Sequence, residues 1–140
     1  MSGTVAGVDS STQSVSVEVR DLDDGTLVEA RHAPHPVTTP PRSEVDAQVW
    51  WTALEDLLDG PAATVEAISV AAQQHGMVAL GADDRPLRPA KLWNDTESAP
   101  EAAELVDRLG VAVWAQRCGS VPVAALTISK LAWLARHEPE

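Results

Sequence analysis

Residues 4–19, TVAGVDSSTQSVSVEV, carry the clearest structural signal in this chain. A short apolar run ends at Asp9, and residues 10–13 are small or polar, which suits a tight hairpin loop. From residue 15 to residue 19, valine alternates with polar side chains, a period of two that is typical of a strand with one buried face. The stretch therefore predicts two antiparallel strands, with Asp9 at the end of the first.

The sequence that follows this hairpin predicts a mixed sheet with flanking helices. The Asp23–Gly25 turn leads into a third strand over 27–31, because glycine accepts the positive φ of hairpin turns. A helix begins near Asp46, which can cap it, and residues 65–70 are apolar enough for a central strand. Three hairpin-linked strands, a helix and a further strand form the α/β plan of a ribonuclease H-like domain.

The C-terminal part of the chain is predicted to be helical. Ser98 and Glu101 form a capping-box pattern at the start of one helix, which Gly110 ends. A last helix is expected over residues 127–136, and Lys130 is assigned to its solvated face. The predicted inner face of that helix consists of Ile128, Leu131, Ala132 and Ala135.

Composition and charge limit the classes of partner. A length of 140 residues suits about one domain, and 44% hydrophobic with 22% charged residues is typical of a globular protein. Ten basic against 21 acidic side chains give a formal net charge of −11, which would repel nucleic-acid phosphates. The sequence contains no apolar run of membrane-spanning length and no secretory signal. With Cys118 as its single cysteine, we expect a cytoplasmic protein that binds neither nucleic acid nor membrane.

The first candidate site is Asp9 with the polar loop behind it. A carboxylate at the end of a buried strand, next to Ser11, Thr12 and Gln13, suits a Mg²⁺–phosphate group: the carboxylate holds the metal, and loop N–H groups face phosphate oxygens. The alternative is ordinary turn chemistry, in which Asp9 accepts a local Asx-type hydrogen bond. Spacing alone favours the alternative.

The second candidate site is Gln74-His75, between Gln73 and Gly76. Amide and imidazole groups offer the donors and acceptors that sugar hydroxyls require, and Gly76 permits a tight bend close to a ligand. The alternative is a polar loop with a surface histidine. The sequence does not decide between the two.

The third candidate site is Trp93-Asn94-Asp95. An indole next to an amide and a carboxylate could form one wall of a sugar pocket. The alternative is a core tryptophan followed by the cap of the next helix, and we expect both interpretations to hold in part.

Four segments, in this order, resemble the N-terminal part of the FGGY carbohydrate kinase family. They are VAGVDSSTQS at 5–14, AQQHGMV at 72–78, RPAKLWND at 88–95 and LTISKLAWL at 126–134. The first is similar to the family's opening phosphate motif, and the second to its Gly-Gln-x-His-Gly segment. The third is similar to Arg-Pro-x-x-Leu-Trp-Asn-Asp. Each segment is short, but their common order makes the resemblance specific.

The resemblance implies a fold and an activity. The fold is that of the actin-like ATPase superfamily, with two ribonuclease H-like domains closing over ATP and sugar. Residues 1–140 would be an incomplete first domain on the sugar-binding side, without the ATP-binding second domain. The implied reaction is Mg²⁺-dependent transfer of the γ-phosphoryl group of ATP to D-xylulose, giving D-xylulose 5-phosphate. The general-base aspartate is expected beyond residue 140, so these residues alone are expected to be inactive.

The resemblance also assigns roles to the candidate residues. Asp9 would bind the metal, and the loop after it would line the phosphates. Gln74 and His75 would contact the ketose, and the Trp93–Asp95 segment would support that pocket. Glycerol kinases carry an Arg-Glu pair at the Gln74-His75 position, which argues against glycerol. Other expectations remain open: a kinase for ribulose or gluconate, a non-catalytic sugar-binding or assembly module, and a homodimer that covers an exposed apolar face.

Overall fold

The computed structural model describes residues 3–139. Its elements in chain order are β1 (Thr4–Ser10), β2 (Ser14–Asp21), β3 (Leu27–Pro34), β4 (Glu44–Val45), α1 (Gln48–Leu57), a 3-10 helix (Gly60–Thr64), β5 (Ala67–Ala72), β6 (Ala90–Lys91), α2 (Ala99–Leu109), α3 (Val111–Cys118) and α4 (Thr127–His137). No helix within the described range combines the length and the apolar composition that a bilayer crossing requires.

The chain divides into two compact units. The first unit runs to Val37 and adds Asp46–Gln73, so it contains β1–β3, α1, the 3-10 helix and β5. The second unit comprises Thr38–Val45 and the chain from Gln74 onward, with β4, β6 and helices α2–α4.

The first unit is built on a four-stranded mixed sheet in the order β3-β2-β1-β5. Strands β1–β3 are antiparallel neighbours, whereas β5 runs parallel to β1 after the crossover through α1. The start of α1 lies at the predicted place, because the Asp46 carboxylate accepts the Gln48 N–H at 2.9 Å. This topology confirms the predicted ribonuclease H-like arrangement.

The core of the first unit lies on one face of this sheet. The alternating valines of β2 are at most 1% exposed, and they pack with Ala6, Val8, Leu57 and Ala62 in one cluster. Each valine buried in this way contributes roughly 1.5–3 kcal/mol relative to an exposed one. One-sided burial therefore accounts for the period of two in the sequence.

Strand β5 differs from its predicted central position. It forms an edge of the described sheet, and all six of its residues are exposed. Ile68 and Val70 lie opposite Ala6 and Val8, so they continue the core face of the sheet beyond the surface that α1 covers. An apolar strand is typical of a position with neighbours on both sides, but within residues 3–139 β5 pairs with β1 alone.

The second unit contains a short ladder and three helices. Strand β4 pairs antiparallel with β6, with Glu44 opposite Lys91, and Met77 forms an isolated bridge to Lys91. Helix α2 packs against α3 and α4. The Trp114 indole N–H donates to the Leu105 carbonyl at 2.7 Å, which ties α3 to α2.

The predicted inner face of α4 is wrong. Ile128 and Leu131 are 41% and 49% exposed, whereas Ser129, Lys130 and Trp133 are buried. The ammonium of Lys130 donates to the carbonyls of Ala124 and Ala125 at 2.6 and 2.9 Å, and burial lowers its pKa. The apolar pattern did not predict the buried face of α4, because a lysine whose ammonium donates to backbone carbonyls can be buried.

The predicted capping box at α2 also forms differently. Ser98 is the N-cap residue, but its side chain makes no capping hydrogen bond. Its hydroxyl donates instead to the Ala124 carbonyl at 3.2 Å. Glu101 is 3% exposed and binds Arg136 and His137 on α4. Both side chains therefore join α2 to the C-terminal segment rather than capping the helix.

His35 in the first unit yields a prediction about stability. Its side chain is 5% exposed, and neither ring nitrogen has a hydrogen-bond partner among the described residues. Burial, followed by the charge of His32, lowers its pKa. As the pH falls below about 6.5, His35 binds a proton more readily in the unfolded chain than in the native state. Acidification therefore lowers the free energy of unfolding. We expect the His35→Leu variant to be at least as stable as the wild type at neutral pH. On acidification, its free energy of unfolding should fall by less than that of the wild type.

The measurement is urea unfolding at about pH 7 and about pH 5. His32→Ala, at an exposed histidine of β3, is the comparison: it removes only the smaller cause of the lowered His35 pKa and should reduce the acid-induced loss of stability much less than His35→Leu does. If the free energy of unfolding of His35→Leu fell on acidification as much as that of the wild type, His35 would not be the source of the pH dependence.

Candidate functional site

The predicted phosphate loop is the three-residue connection between β1 and β2. The Ser11 N–H donates to the Ser14 carbonyl at 2.8 Å and closes the turn, and the Ser11 hydroxyl reaches the same carbonyl at 3.1 Å. Asp9 and Gln13 are exposed, whereas Ser11 and Thr12 are half-buried. A short loop with hydroxyl groups thus follows directly after the Asp9 carboxylate.

Hydrogen bonds on two sides hold this loop within the first unit. The Thr12 hydroxyl lies 3.4 Å from the side-chain oxygen of Gln73, whose own N–H donates to the Ser10 carbonyl at 3.0 Å. On the other side, the His35 N–H donates to the Gln13 carbonyl at 2.7 Å. The loop is therefore tied both to the end of β5 and to the segment after β3.

Asp9 lies on the sheet face opposite the core. It lines an open groove of about 490 Å³ with Gly7, Val8, Ser16, Glu18, Ser69 and Ala71. Residue 7 has no side chain, and a Cβ built there would meet no atom within 4 Å, so the groove is open next to the carboxylate. An accessible carboxylate beside hydroxyl groups is a donor set that fits a hard cation and a phosphate.

The Gln74-His75 candidate is a bend with an unusual backbone. His75 has a φ of +64°, a left-handed conformation that is uncommon for any residue with a side chain and costs free energy. Gln74 and His75 are both exposed. A Cβ on Gly76 would lie 3.5 Å from the Lys91 carbonyl, which shows how closely the bend approaches β6. This backbone conformation thus leaves the side chains of Gln74 and His75 exposed at the protein surface.

Trp93 and Asn94 follow β6 in the same unit. The Trp93 side chain is 45% exposed, so it is not the fully buried core tryptophan of the alternative interpretation. The side-chain oxygen of Asn94 is buried and accepts no hydrogen bond among the described residues. An unpaired acceptor of this kind costs about 1–3 kcal/mol unless water or a ligand donates to it. The structure thus leaves one buried acceptor of this segment without a hydrogen-bond partner among the described residues.

Asp95 is fully buried, and its carboxylate oxygens are engaged within the protein. One oxygen accepts the Ser43 N–H at 2.8 Å and the Lys91 ammonium at 3.1 Å, and the other accepts the Glu97 N–H at 3.1 Å. Asp95 consequently holds the backbone around the candidate pocket in place and offers no free carboxylate to a ligand.

Sequence reasoning missed the charged cluster around Lys91. The Lys91 ammonium lies 2.9 Å from Glu44, 3.1 Å from Asp95 and 2.6 Å from Glu97. Burial alone would lower the pKa of Lys91, but its hydrogen bonds to these carboxylates outweigh burial and raise it. The same bond holds the pKa of Glu97 below its ordinary value. One sequence signal was available: Asp95 follows Lys91 by four residues, and Lys91 lies between two apolar residues.

The candidate residues fall into both units. The first unit contains Asp9, Ser11, Thr12 and Gln13 in one strand and its loop. The second brings the Gln74–Gly76 bend next to β6, directly before the Trp93–Asp95 segment. The mixed sheet and its helices match the actin-like ATPase fold of sugar kinases.

A family model described as the N-terminal domain of the FGGY family of carbohydrate kinases matches residues 4–140. The chain belongs to the FGGY family of carbohydrate kinases.

Several curated relatives and solved structures are similar to this chain. The xylulose kinase of Streptomyces coelicolor is 50% identical over 140 residues, covering 97% of this chain and 29% of that protein. The xylulose kinase of Streptomyces rubiginosus is 49% identical, with the same coverage. The crystal structure of xylulose kinase from Bifidobacterium adolescentis aligns with a TM-score of 0.90 at 40% identity, covering 99% of this chain and 30% of that one. The chain spans 29% of the length of the two Streptomyces relatives.

Proposed function

We propose that this chain supplies the phosphate loop and the sugar contacts of an ATP-dependent kinase that converts D-xylulose to D-xylulose 5-phosphate. In this proposal, residues 1–140 form the N-terminal part of the first of two domains. The ATP-binding domain and the general-base aspartate then lie elsewhere in the protein. The relatives named xylulose kinase support this choice of substrate.

The observation that carries the proposal is the strained bend at His75. A non-glycine residue with positive φ persists only where its surroundings impose it, and such residues cluster at binding sites. The bend exposes the Gln74 amide and the His75 imidazole together, next to β6, and the Trp93-Asn94 segment follows β6 in the chain. Exposed polar groups beside an indole are the combination that a sugar requires.

In the proposed reaction, Gln74 and His75 hydrogen-bond sugar hydroxyls, and Trp93 contributes an apolar surface. The 5-hydroxyl oxygen of D-xylulose forms a bond to the γ-phosphorus of ATP while the bond to the departing ADP oxygen breaks. The hydroxyl proton passes to the general-base aspartate. The task of these 140 residues is to hold the sugar so that its 5-hydroxyl is aligned for attack.

In this proposal, the β1–β2 region binds Mg²⁺ and the phosphates of ATP. Asp9 would hold Mg²⁺ or its waters, with Ser11, Thr12 and Gln13 along the phosphates. When bound, Mg²⁺ neutralises charge on the phosphate oxygens. The open groove beside Asp9 and the hydroxyl groups of the loop support this assignment.

We also propose a cytoplasmic location. Cys118 is a free and exposed thiol, which fits a reducing compartment. The homodimer stays a prediction, which the exposed apolar side chains of Ile68 and Val70 support and which a light-scattering mass of one chain would refute.

The test of the function is a phosphorylation assay on the protein expressed from its complete reading frame. With D-xylulose, D-ribulose, gluconate and glycerol as acceptors, D-xylulose should give the highest kcat/KM. A higher value for another acceptor would reassign the substrate. An absence of turnover with every acceptor would favour a non-catalytic sugar-binding or assembly module.

His75→Asn isolates the imidazole in this proposal. Asparagine tolerates the left-handed backbone of residue 75, so the exchange removes the imidazole and leaves the bend in place. Losing one or two sugar hydrogen bonds should lower kcat/KM for D-xylulose about 10- to 100-fold. Steady-state kinetics with ATP held at saturation measures the change.

The control for this experiment is Gln116→Ala, at an exposed position on α3, which should leave kcat/KM at the wild-type value. His75→Gly adds a second arm, because glycine relieves the strained φ and should hold or raise the melting temperature while sugar binding weakens. Wild-type kcat/KM in both His75 variants would remove His75 from the sugar site.

A further inference from the structure

Lys91 is a fully buried lysine for which the proposed function provides no role. Its side chain is 0% exposed, and its neighbours Ala90 and Leu92 are buried apolar residues. Burying an ammonium group costs several kcal/mol of desolvation, which only close pairing offsets. A methionine would fill similar space without that cost, so the retained charge calls for a physical explanation.

The surroundings of the ammonium resemble the ligand shell of a metal ion. Carboxylate oxygens of Glu44, Asp95 and Glu97 lie within 4.8 Å of one another, a grouping that could hold a cation. The Lys91 nitrogen lies within 3.1 Å of all three and 4.0 Å from the centroid of the Trp133 ring. The ammonium therefore occupies the space between three carboxylates that could hold a cation.

Asp95 depends on Lys91 more than the other two carboxylates do. Glu44 also pairs with Arg88, and Glu97 also pairs with Arg42. Among the described residues, Lys91 is the one cation within ion-pair distance of Asp95. The charge of Asp95 is thus paired by a single ammonium group, while the N–H groups of Ser43 and Glu97 complete the hydrogen bonding of its carboxylate.

The main chain of Lys91 contacts the other half of the candidate pocket. Its N–H donates to the Met77 carbonyl at 3.0 Å, and its carbonyl accepts the Met77 N–H at 2.8 Å. Met77 directly follows the Gln74–Gly76 bend. One residue therefore joins both candidate sugar segments, the bend through its backbone and Trp93–Asp95 through its side chain.

We propose that Lys91 is a positioning residue for the sugar pocket, with its ammonium serving as a built-in substitute for a divalent cation among Glu44, Asp95 and Glu97. This fixes the Gln74–Gly76 bend relative to the Trp93–Asp95 segment. The sugar-positioning part of the inference rests on the proposed function, whereas the cation substitution rests on geometry alone.

Lys91→Met in the protein from its complete reading frame tests the positioning role. We expect KM for D-xylulose to rise about tenfold, because a displaced pocket wall weakens sugar contacts, while KM for ATP stays at the wild-type value. A lysine that merely stabilised the fold would reduce the yield of folded protein and leave both KM values unchanged. That outcome, or an equal rise in both KM values, would overturn the role.

Lys91→Ala tests the cation substitution without any measurement of activity. Removing the side chain leaves three carboxylates and space between them, so millimolar Ca²⁺ should raise the melting temperature of this variant more than that of the wild type. Adding Glu44→Gln to Lys91→Ala should abolish the Ca²⁺ effect. An equal response of wild type and Lys91→Ala would overturn the substitution.

These arms separate the two proposals. A wild-type protein that does not phosphorylate D-xylulose would refute the proposed function, and the Ca²⁺ experiment would still test the cation substitution. If Lys91→Met does not fold, Lys91→Met with Glu97→Gln removes one charge of each sign and keeps Asp95. A raised KM for D-xylulose in that double variant supports the positioning role, and an unchanged KM overturns it.

Discussion

Asp95→Ala is expected to destabilise the protein by about 3–5 kcal/mol, the usual cost of removing one partner of a buried ion pair. The loss combines several effects at one fully buried position. Lys91 loses a carboxylate, and the N–H groups of Ser43 and Glu97 lose their acceptor. Each buried donor left without a partner costs about 1–3 kcal/mol, so even partial relaxation of the backbone leaves a large deficit.

Urea unfolding, followed by tryptophan fluorescence, measures the free energy of unfolding of this variant. The matched control is Asp107→Ala, which removes an exposed carboxylate from α2 and should change stability by less than about 0.5 kcal/mol. If Asp95→Ala lost no more than Asp107→Ala, Asp95 would not hold the backbone around the pocket.

The sheet could be predicted from the sequence because its burial is one-sided and local. The alternating valines of β2 face a core made by neighbours close in the chain. Their period of two in the sequence therefore predicts the strand directly. The turn residues located both hairpins, and the intervening helix required β5 to be parallel to β1. The two hairpins place β1, β2 and β3 side by side, whereas the edge position of β5 was not predicted.

Burial of β5 and α4 could not be predicted in the same way, because it depends on partners. Ile68 in β5 and Ile128 in α4 are apolar, yet both are exposed among the described residues. Lys130 is charged, yet it is buried because two backbone carbonyls accept its protons. An apolar pattern indicates which side chains favour burial, while their actual environment depends on the segments that pack against them.

Residue types in the sequence pointed to the candidate site residues. The charged cluster around Lys91 was not predicted. Carboxylate, amide and indole groups at strand ends drew attention to Asp9, Gln74 and Trp93, since such groups carry recognisable chemistry. Lys91 escaped notice because a lone lysine is usually a surface residue. Its contacts with Glu44 connect segments 47 residues apart, a proximity that no local pattern encodes.

Asp9→Asn is expected to lower kcat for D-xylulose phosphorylation about 10²- to 10³-fold, the range seen when one group that stabilises transition-state charge is removed. The exchange keeps the shape of the side chain and deletes the negative charge that would hold Mg²⁺. Asp9 is exposed in an open groove and lies outside the valine core, so stability should change by less than about 0.5 kcal/mol.

Steady-state kinetics over a range of Mg²⁺ concentrations distinguishes this role from turn chemistry. If Asp9 holds the metal, the Mg²⁺ concentration needed for half-maximal rate should rise along with the fall in kcat, because the remaining hydroxyl groups bind the ion weakly. Asp23→Asn, at an exposed carboxylate in the β2–β3 turn, is the control and should match the wild type. A variant with wild-type kcat and reduced stability would instead make Asp9 a turn-capping residue, since a local hydrogen bond contributes to folding and leaves phosphoryl transfer unchanged.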